Sequence, residues 1–256
     1  MADATVTGPP RDASHPYMHY CACMARTPST PPEWNAVLAA AARLQELVPD
    51  AVLVGGSAAA QHAGHRVSFD DDHVLTDLRK RFDEVLEALE ASEGWVTARV
   101  KRPVLILGRL DGIETGVRQL IRRRPLDMEE VDVAGRVLRV PTLAETFRIK
   151  GWLVLVRNAT RDYLDLVALS ARLGAEAAGA VLDLDEYYED QIGPGGRRIA
   201  TQLVKQLADP APYDLDEVDL LHYRHLVARW QDWASVVEDS RSLASAVLDR
   251  LAGGPR

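Results

Sequence analysis

Apolar residues recur at helical spacing from Trp34 through Val37, Leu38, Ala41, Leu44 and Leu47, stopping at Pro49. Thr30 before Pro31 and Pro32 supplies the start signal for that helix. Ala51 to Val54 is a short continuous apolar run and predicts a buried strand, with Gly55-Gly56 as its turn. Ser57 to Gly64 predicts a short helix, and Ser68 to Leu75 leaves room for one strand. Leu78, Phe82, Val85, Leu86 and Leu89 share one face of the next helix, with Thr76 as its expected cap. Strand-like segments then start at Trp95, Pro103 and Gly112, and two alternating runs around Gly135 predict a hairpin. Thr142 and Glu145 have the spacing of a capping box. Beyond them the pattern is helical almost throughout, with breaks near Asn158, Gly174, Gly193 and Pro210–Pro212.

This order predicts a mixed α/β fold, a small mixed sheet followed by an all-helical C-terminal domain. The expected division is a tail over 1–30, a sheet domain over 31–141 and a helical domain over 142–256. The tail is Pro-rich and has no apolar period. Cys21 and Cys23 lie there with His15 and His19, without a second ligand pair at zinc spacing. They read as incidental tail residues, with a metal site as the alternative.

Composition narrows the class. The chain has 256 residues, 47% hydrophobic and 27% charged, which excludes disorder over most of its length. No apolar run approaches the roughly 20 residues needed to span a bilayer, and no apolar signal core opens the chain. With two cysteines, the expectation is a cytoplasmic protein with no membrane partner. The net charge of −8 argues against a generally basic nucleic-acid coat. It is unevenly spread, however: residues 95–161 hold 14 basic and 7 acidic groups, while both flanks are acidic. A basic middle third in an acidic chain suits an anion bound at one place.

The chemistry concentrates between Val52 and Leu75, in VLVGGSAAAQHAGHRVSFDDDHVL. Glycines let backbone approach a ligand closely, and a helix N-terminus favours phosphate oxygens. Residues two apart on a strand share a face, so Asp70 and Asp72 can hold one or two divalent cations between them. Such cations beside a triphosphate activate an attacking oxygen and stabilise the departing pyrophosphate.

These residues resemble the signature of the nucleotidyltransferase superfamily, Gly-Gly-Ser followed by an Asp-x-Asp strand. GGSAAAQHAGHRVSFDDD is similar to the pattern of the AbiEii/MenT toxins of type IV toxin–antitoxin systems. FRIKGWLVLVRNATRDYLDLVAL, from Phe147, resembles that family's helix pair, so that the likeness covers about residues 51–173. The resemblance implies a metal-dependent transfer of a nucleoside monophosphate from an NTP to an acceptor, such as the 3′ end of tRNA, blocking translation. It also implies a cognate antitoxin protein. By residue, Gly55, Gly56 and Ser57 would hold the triphosphate, and Asp70 and Asp72 would bind Mg2+ or Mn2+. Ser68 lies at a position of functional interest. His65 and Arg66 would sit beside the nucleotide, and Lys150 would meet phosphate charge. Asp162 would be the acid of the helical half, supported by Arg161 and Asp165. A third carboxylate on a neighbouring strand is expected, and Glu114 is the candidate, as general base or metal ligand.

Two departures stand out. The residue between the metal acids is Asp71 where the family has an apolar one. It must lie near the surface, have a cationic partner, or itself be a ligand in a shifted register. The third acid is Glu rather than Asp. Arg122-Arg123-Arg124 reads either as a solvated run or as a contact for acceptor phosphates. The rival functions are nucleotidyl transfer to a small molecule or protein, and a degenerate relative that binds nucleotide or a partner without turnover.

Overall fold

The computed structural model describes residues 34–133, 135–193 and 195–253. The tail with its cysteines and the Thr30–Pro32 helix start lie outside these. Helix α1 (Trp34–Leu47) leads into β1 (Val52–Val54), α2 (Gly55–Ala63), β2 (Asp70–Leu75) and α3 (Leu78–Glu90). Then come β3 (Trp95–Lys101), β4 (Leu105–Leu110) and β5 (Ile113–Gln119), and the hairpin β6 (Met128–Val133) with β7 (Arg136–Pro141). The rest is helical: α4 (Leu143–Arg157), α5 (Thr160–Leu173), α6 (Ala177–Leu182), α7 (Leu184–Tyr187), α8 (Ile199–Ala208) and α9 (Trp233–Gly253). Between α8 and α9 the chain runs through short 3-10 turns rather than a regular helix. The fold is therefore mixed α/β with a helical C-terminal half, as the pattern predicts.

The main sheet has the order β1-β2-β5-β4-β3, parallel only between β2 and β5. Register decides what each face carries. Asp70 lies opposite Glu114 and Asp72 opposite Gly116, so these positions point to one side. Asp71, His73 and Leu75 point to the other, where α1 and α3 cover the sheet. The core there includes Leu44, Leu75, Phe82, Leu89, Ile106 and Val117, all buried. Hydrophobic periodicity made α3 from the five residues of its predicted stripe, and each of them is buried. Burying a side chain of that kind stabilises the fold by roughly 1.5–3 kcal/mol.

The hairpin packs Leu138 and Val140 against Leu38, Ala41 and Leu53. Gln45 fixes its register on α1, donating to the Arg139 carbonyl and accepting from the Arg139 N–H at 2.8 Å each. On the opposite face, Val52, Val54 and Leu126 pack with Ile149 of α4. Ala59 of α2 belongs to the core of the helical half, with Phe147, Tyr163, Leu166 and Leu203. Helix α2 thus joins the two halves. The face that bears Asp70 and Asp72 is covered over β1 and left open towards β4 and β3.

Three local details depart from the sequence pattern. Gly55 and Gly56 form the first turn of α2 instead of preceding it. Asp77, not Thr76, is the residue before α3, and its side chain makes no capping bond. The Thr142 hydroxyl does accept from the Glu145 N–H, at 3.3 Å, but the Glu145 carboxylate is engaged by Arg122 and Arg148. Only half of the capping box is made.

Candidate active site

Strand β1 passes directly into α2 at Gly55, whose φ of +75° is open to glycine and strained for other residues. A side chain there would also meet Asp72, with the Asp72 Cβ at 3.5 Å from the added carbon. At Gly56 the reason is space. An added Cβ would lie 2.6 Å from Arg66 Nη2 and 2.7 Å from Ser68 Oγ. The two glycines let α2 begin against the acids of β2. Their side of the helix is closed by Arg66 and Ser68.

Ser57 is buried and donates its hydroxyl to the Asp70 carbonyl oxygen. It ties α2 to β2. Ser68 Oγ donates to Asp70 Oδ1 at 2.8 Å and orients that exposed carboxylate. Asp72 accepts from Arg118 Nε at 3.3 Å and Nη2 at 3.2 Å. Partial burial pushes the Asp72 carboxyl up, but Arg118, Arg161 and Arg157 outweigh it and hold the group below the usual carboxylate range. Asp72 therefore stays ionised, and cations of both α4 and α5 act on it across the seam between sheet and helices. Glu114 accepts from Arg109 Nη2 at 3.0 Å, with both side chains 43% exposed.

Across the seam lies a buried ionic network. Asp165 accepts from His65 Nε2 at 2.8 Å, Arg66 Nε at 2.7 Å and Arg66 Nη2 at 3.0 Å. Lys150 Nζ is 2.6 Å from Asp165 and 3.5 Å from Asp162. Arg157 Nη2 donates to Asp162 at 2.6 Å. Burial pushes both carboxyls up, yet Arg66 and Lys150 hold Asp165 well below the usual range, and Arg157 and Lys150 hold Asp162 below it. Both carboxyls thus add stability above about pH 4, the unfolded value, that is lost as pH falls through the folded ones. Lys150 is only 1% exposed. The structure places its ammonium between two aspartates.

Asp71 is settled by the register. It points to the helix-covered face and is 1% exposed, so it is neither a surface residue nor a ligand beside Asp70 and Asp72. Thr115 donates to it, and His73 Nδ1 lies 3.5 Å away. Burial raises the Asp71 carboxyl well above its ordinary range and lowers His73 to about 3. Burial thus disfavours the charged form of both groups, and Thr115 supplies the hydrogen bond to Asp71. Of the Arg triplet, Arg123 is exposed and Arg122 departs from a solvated run. The Arg122 side chain is fully buried against Glu145, and Arg124 pairs with Glu186. Neither is laid out for acceptor phosphates.

Residues 223–230 are the part of the site that sequence reasoning missed. Val227 N–H donates to the His65 carbonyl at 2.9 Å, and Val67 N–H donates to the Arg224 carbonyl at 3.0 Å. Tyr223 lies under the Arg66 guanidinium at 5.9 Å, and Trp230 meets the His65 ring edge-on. The only signal was a cluster of aromatic and basic residues without a helical period.

The donor set suits a hard divalent cation. Asp70 and Asp72 offer ionisable oxygens on one face beside a helix N-terminus. Mg2+ is commonly held by one or two carboxylates together with substrate phosphates. Among the described residues, no three His, Cys, Asp or Glu side chains converge as a ready cage.

No family model matches the chain. The Heme uptake protein MmpL11 of Mycobacterium tuberculosis is 34% identical over 209 residues, which cover 71% of this chain and 20% of that protein. The Mycolic acid-containing lipids exporter MmpL11 of Mycolicibacterium smegmatis is 36% identical over 130 residues, 50% of this chain and 13% of its own. The chain spans about a fifth or less of the length of these curated relatives. Among the described residues, no helix is long and apolar enough to cross a membrane. Solved structures with similarity include a protein of H. pylori described as a nucleotidyltransferase, at a TM-score of 0.46 and 14% identity. That match covers 87% of this chain and 96% of that one. The antibiotic-resistance factor ANT(2'')-Ia is similar at a TM-score of 0.44 and 13% identity, over 61% and 92% of the two chains.

Proposed function

We propose that this chain is a metal-dependent nucleotidyltransferase that moves a nucleoside monophosphate from an NTP to an RNA hydroxyl, with the tRNA 3′ end as acceptor. The observation that carries the reading is the shared face of Asp70, Asp72 and Glu114 at the N-terminal turn of α2, with Arg66, Arg118, Arg157 and Arg161 around it. The α2 turn and Arg66 suit a triphosphate. Asp70 and Asp72 would hold Mg2+, which when bound offsets phosphate charge. The acceptor oxygen forms a bond to the α-phosphorus, the bond to the β-phosphate oxygen breaks, and pyrophosphate leaves. Glu114, opposite Asp70 in the sheet, would take the acceptor proton. A toxin role with a cognate antitoxin rests on the two sequence blocks that resemble the AbiEii/MenT family.

The open part of the sheet supports a polyanionic acceptor. Register puts Arg118 of β5, Arg109 of β4, and Arg99 and Lys101 of β3 on the face that bears Asp70 and Asp72. These four cations share the face with Asp70, Asp72 and Glu114, Arg118 pairing with Asp72 and Arg109 with Glu114, in a chain of net charge −8. Strand β3 lies three strands from β2, about 14 Å at normal sheet spacing. An RNA end at Asp72 would pass over it. We expect Arg99→Glu with Lys101→Glu to weaken tRNA binding and to flatten its salt dependence by roughly 0.7 per lost phosphate contact. Filter binding over a salt series reads both. Unchanged affinity and slope would favour a small-molecule or protein acceptor.

A further inference from the structure

Asp165 is fully buried, and donors from two separate parts of the chain converge on it. His65 and Arg66 come from the loop after α2, and Lys150 comes from α4. Helix packing alone does not call for a carboxylate with donors on both oxygens. The loop is held from the other side as well, by the backbone bonds to Arg224 and Val227. The result is that the Arg66 fork is fixed in one plane by a bidentate pair. Its Nη2 lies against Gly56, in the first turn of α2, and its charge acts on Asp70. Two of its five N–H donors are used on Asp165. The side chain is 8% exposed, and its Nη2 faces the first turn of α2.

We propose that Asp165 is a positioning residue for the triphosphate. It acts through Arg66, whose guanidinium it holds over Gly56 in the orientation that receives the β- and γ-phosphates. This rests on the nucleotide-binding reading above. It gives Asp165 a role distinct from support of Asp162, since its bidentate partner belongs to the sheet half.

The test is equilibrium binding of labelled α,β-methylene NTPs and of the corresponding NMPs to the full chain with Mg2+. We expect Arg66→Ala and Asp165→Asn each to weaken triphosphate binding by about tenfold or more, the worth of charge-assisted hydrogen bonds. NMP affinity should be unchanged, and the double variant should bind no more weakly than the single ones. Arg66→Lys keeps the charge and loses the fork, so it should bind triphosphate as weakly as Arg66→Ala. That variant keeps the proposal testable if Asp165→Asn does not fold. A lower melting temperature with an unmoved triphosphate-to-monophosphate ratio, or full binding by Arg66→Lys, overturns the proposal. Wild-type protein that binds no triphosphate overturns the nucleotide reading itself.

Discussion

We expect Asp72→Asn to abolish the proposed nucleotidyl transfer and to leave the fold in place. Asp72 is a third exposed and pairs with Arg118. An isosteric amide there changes stability by no more than about 1 kcal/mol, the usual worth of an exposed pair. The reaction suffers far more. Asp72 is kept ionised by three arginines, and an amide offers neither the charge nor the second anionic oxygen that a cation requires. Removing one electrostatic element of an active site lowers the rate by about 100- to 1,000-fold, and loss of a metal ligand should do at least as much. The measurement is initial rate beside a thermal melt. Wild-type rate in a folded Asp72→Asn protein would remove Asp72 from the chemistry.

Glu145→Ala has the second large effect, on folding instead of turnover. Glu145 is fully buried and takes Arg122 on one oxygen and Arg148 on the other. Burial raises its carboxyl above the ordinary range in spite of both guanidiniums, so dehydration is not fully offset by pairing. Such a group is worth little as a net stabiliser, but losing it removes the carboxylate that two buried cations share, leaving Arg122 the Arg124 and Pro125 carbonyls and Arg148 the more exposed Asp127. The expected cost is about 3–5 kcal/mol, a large part of a typical 5–15 kcal/mol. The melting temperature should fall by roughly 10 °C in a chain of this size. Calorimetry checks it, and a shift below a couple of degrees would show that Arg122 and Arg148 find other partners. By the same argument Arg122→Glu should unfold the protein rather than release RNA.

The contrast between these two residues shows what the sequence could and could not convey. The position of Asp72 beside Asp70 was legible because it depends on neighbours in sequence. The two-residue period places it with Asp70, and the glycines lie within the same stretch. The elements were legible for a similar reason, since helix and strand periods are local. Glu145 was misread because its partner Arg122 lies 23 residues away, across the hairpin. Three consecutive arginines look like a solvated run unless that contact is known. Asp165 meets Arg66 from a distance of 99 residues, and spacing alone suggested only Arg161 as a partner. Asp71 shows a further limit. Alternation correctly assigns it to the covered face, but a carboxyl there reads as a fault until Thr115 and His73 are seen beside it. Ser57 and Lys150 fit the motif as letters. Their burial, which turns them towards Asp70, Asp162 and Asp165, is a property of packing.

The central claim is that Asp70 and Asp72 support transfer of a nucleoside monophosphate to RNA. Its most direct test is incubation of the protein with total RNA and each NTP labelled in turn at the α- or γ-phosphate, with Mg2+ or with chelator. The account predicts that α-label becomes covalently attached to RNA only with Mg2+, that γ-label leaves as pyrophosphate, and that Asp72→Asn transfers neither. RNA that stays unlabelled with all four NTPs, or is labelled equally by Asp72→Asn, would contradict it.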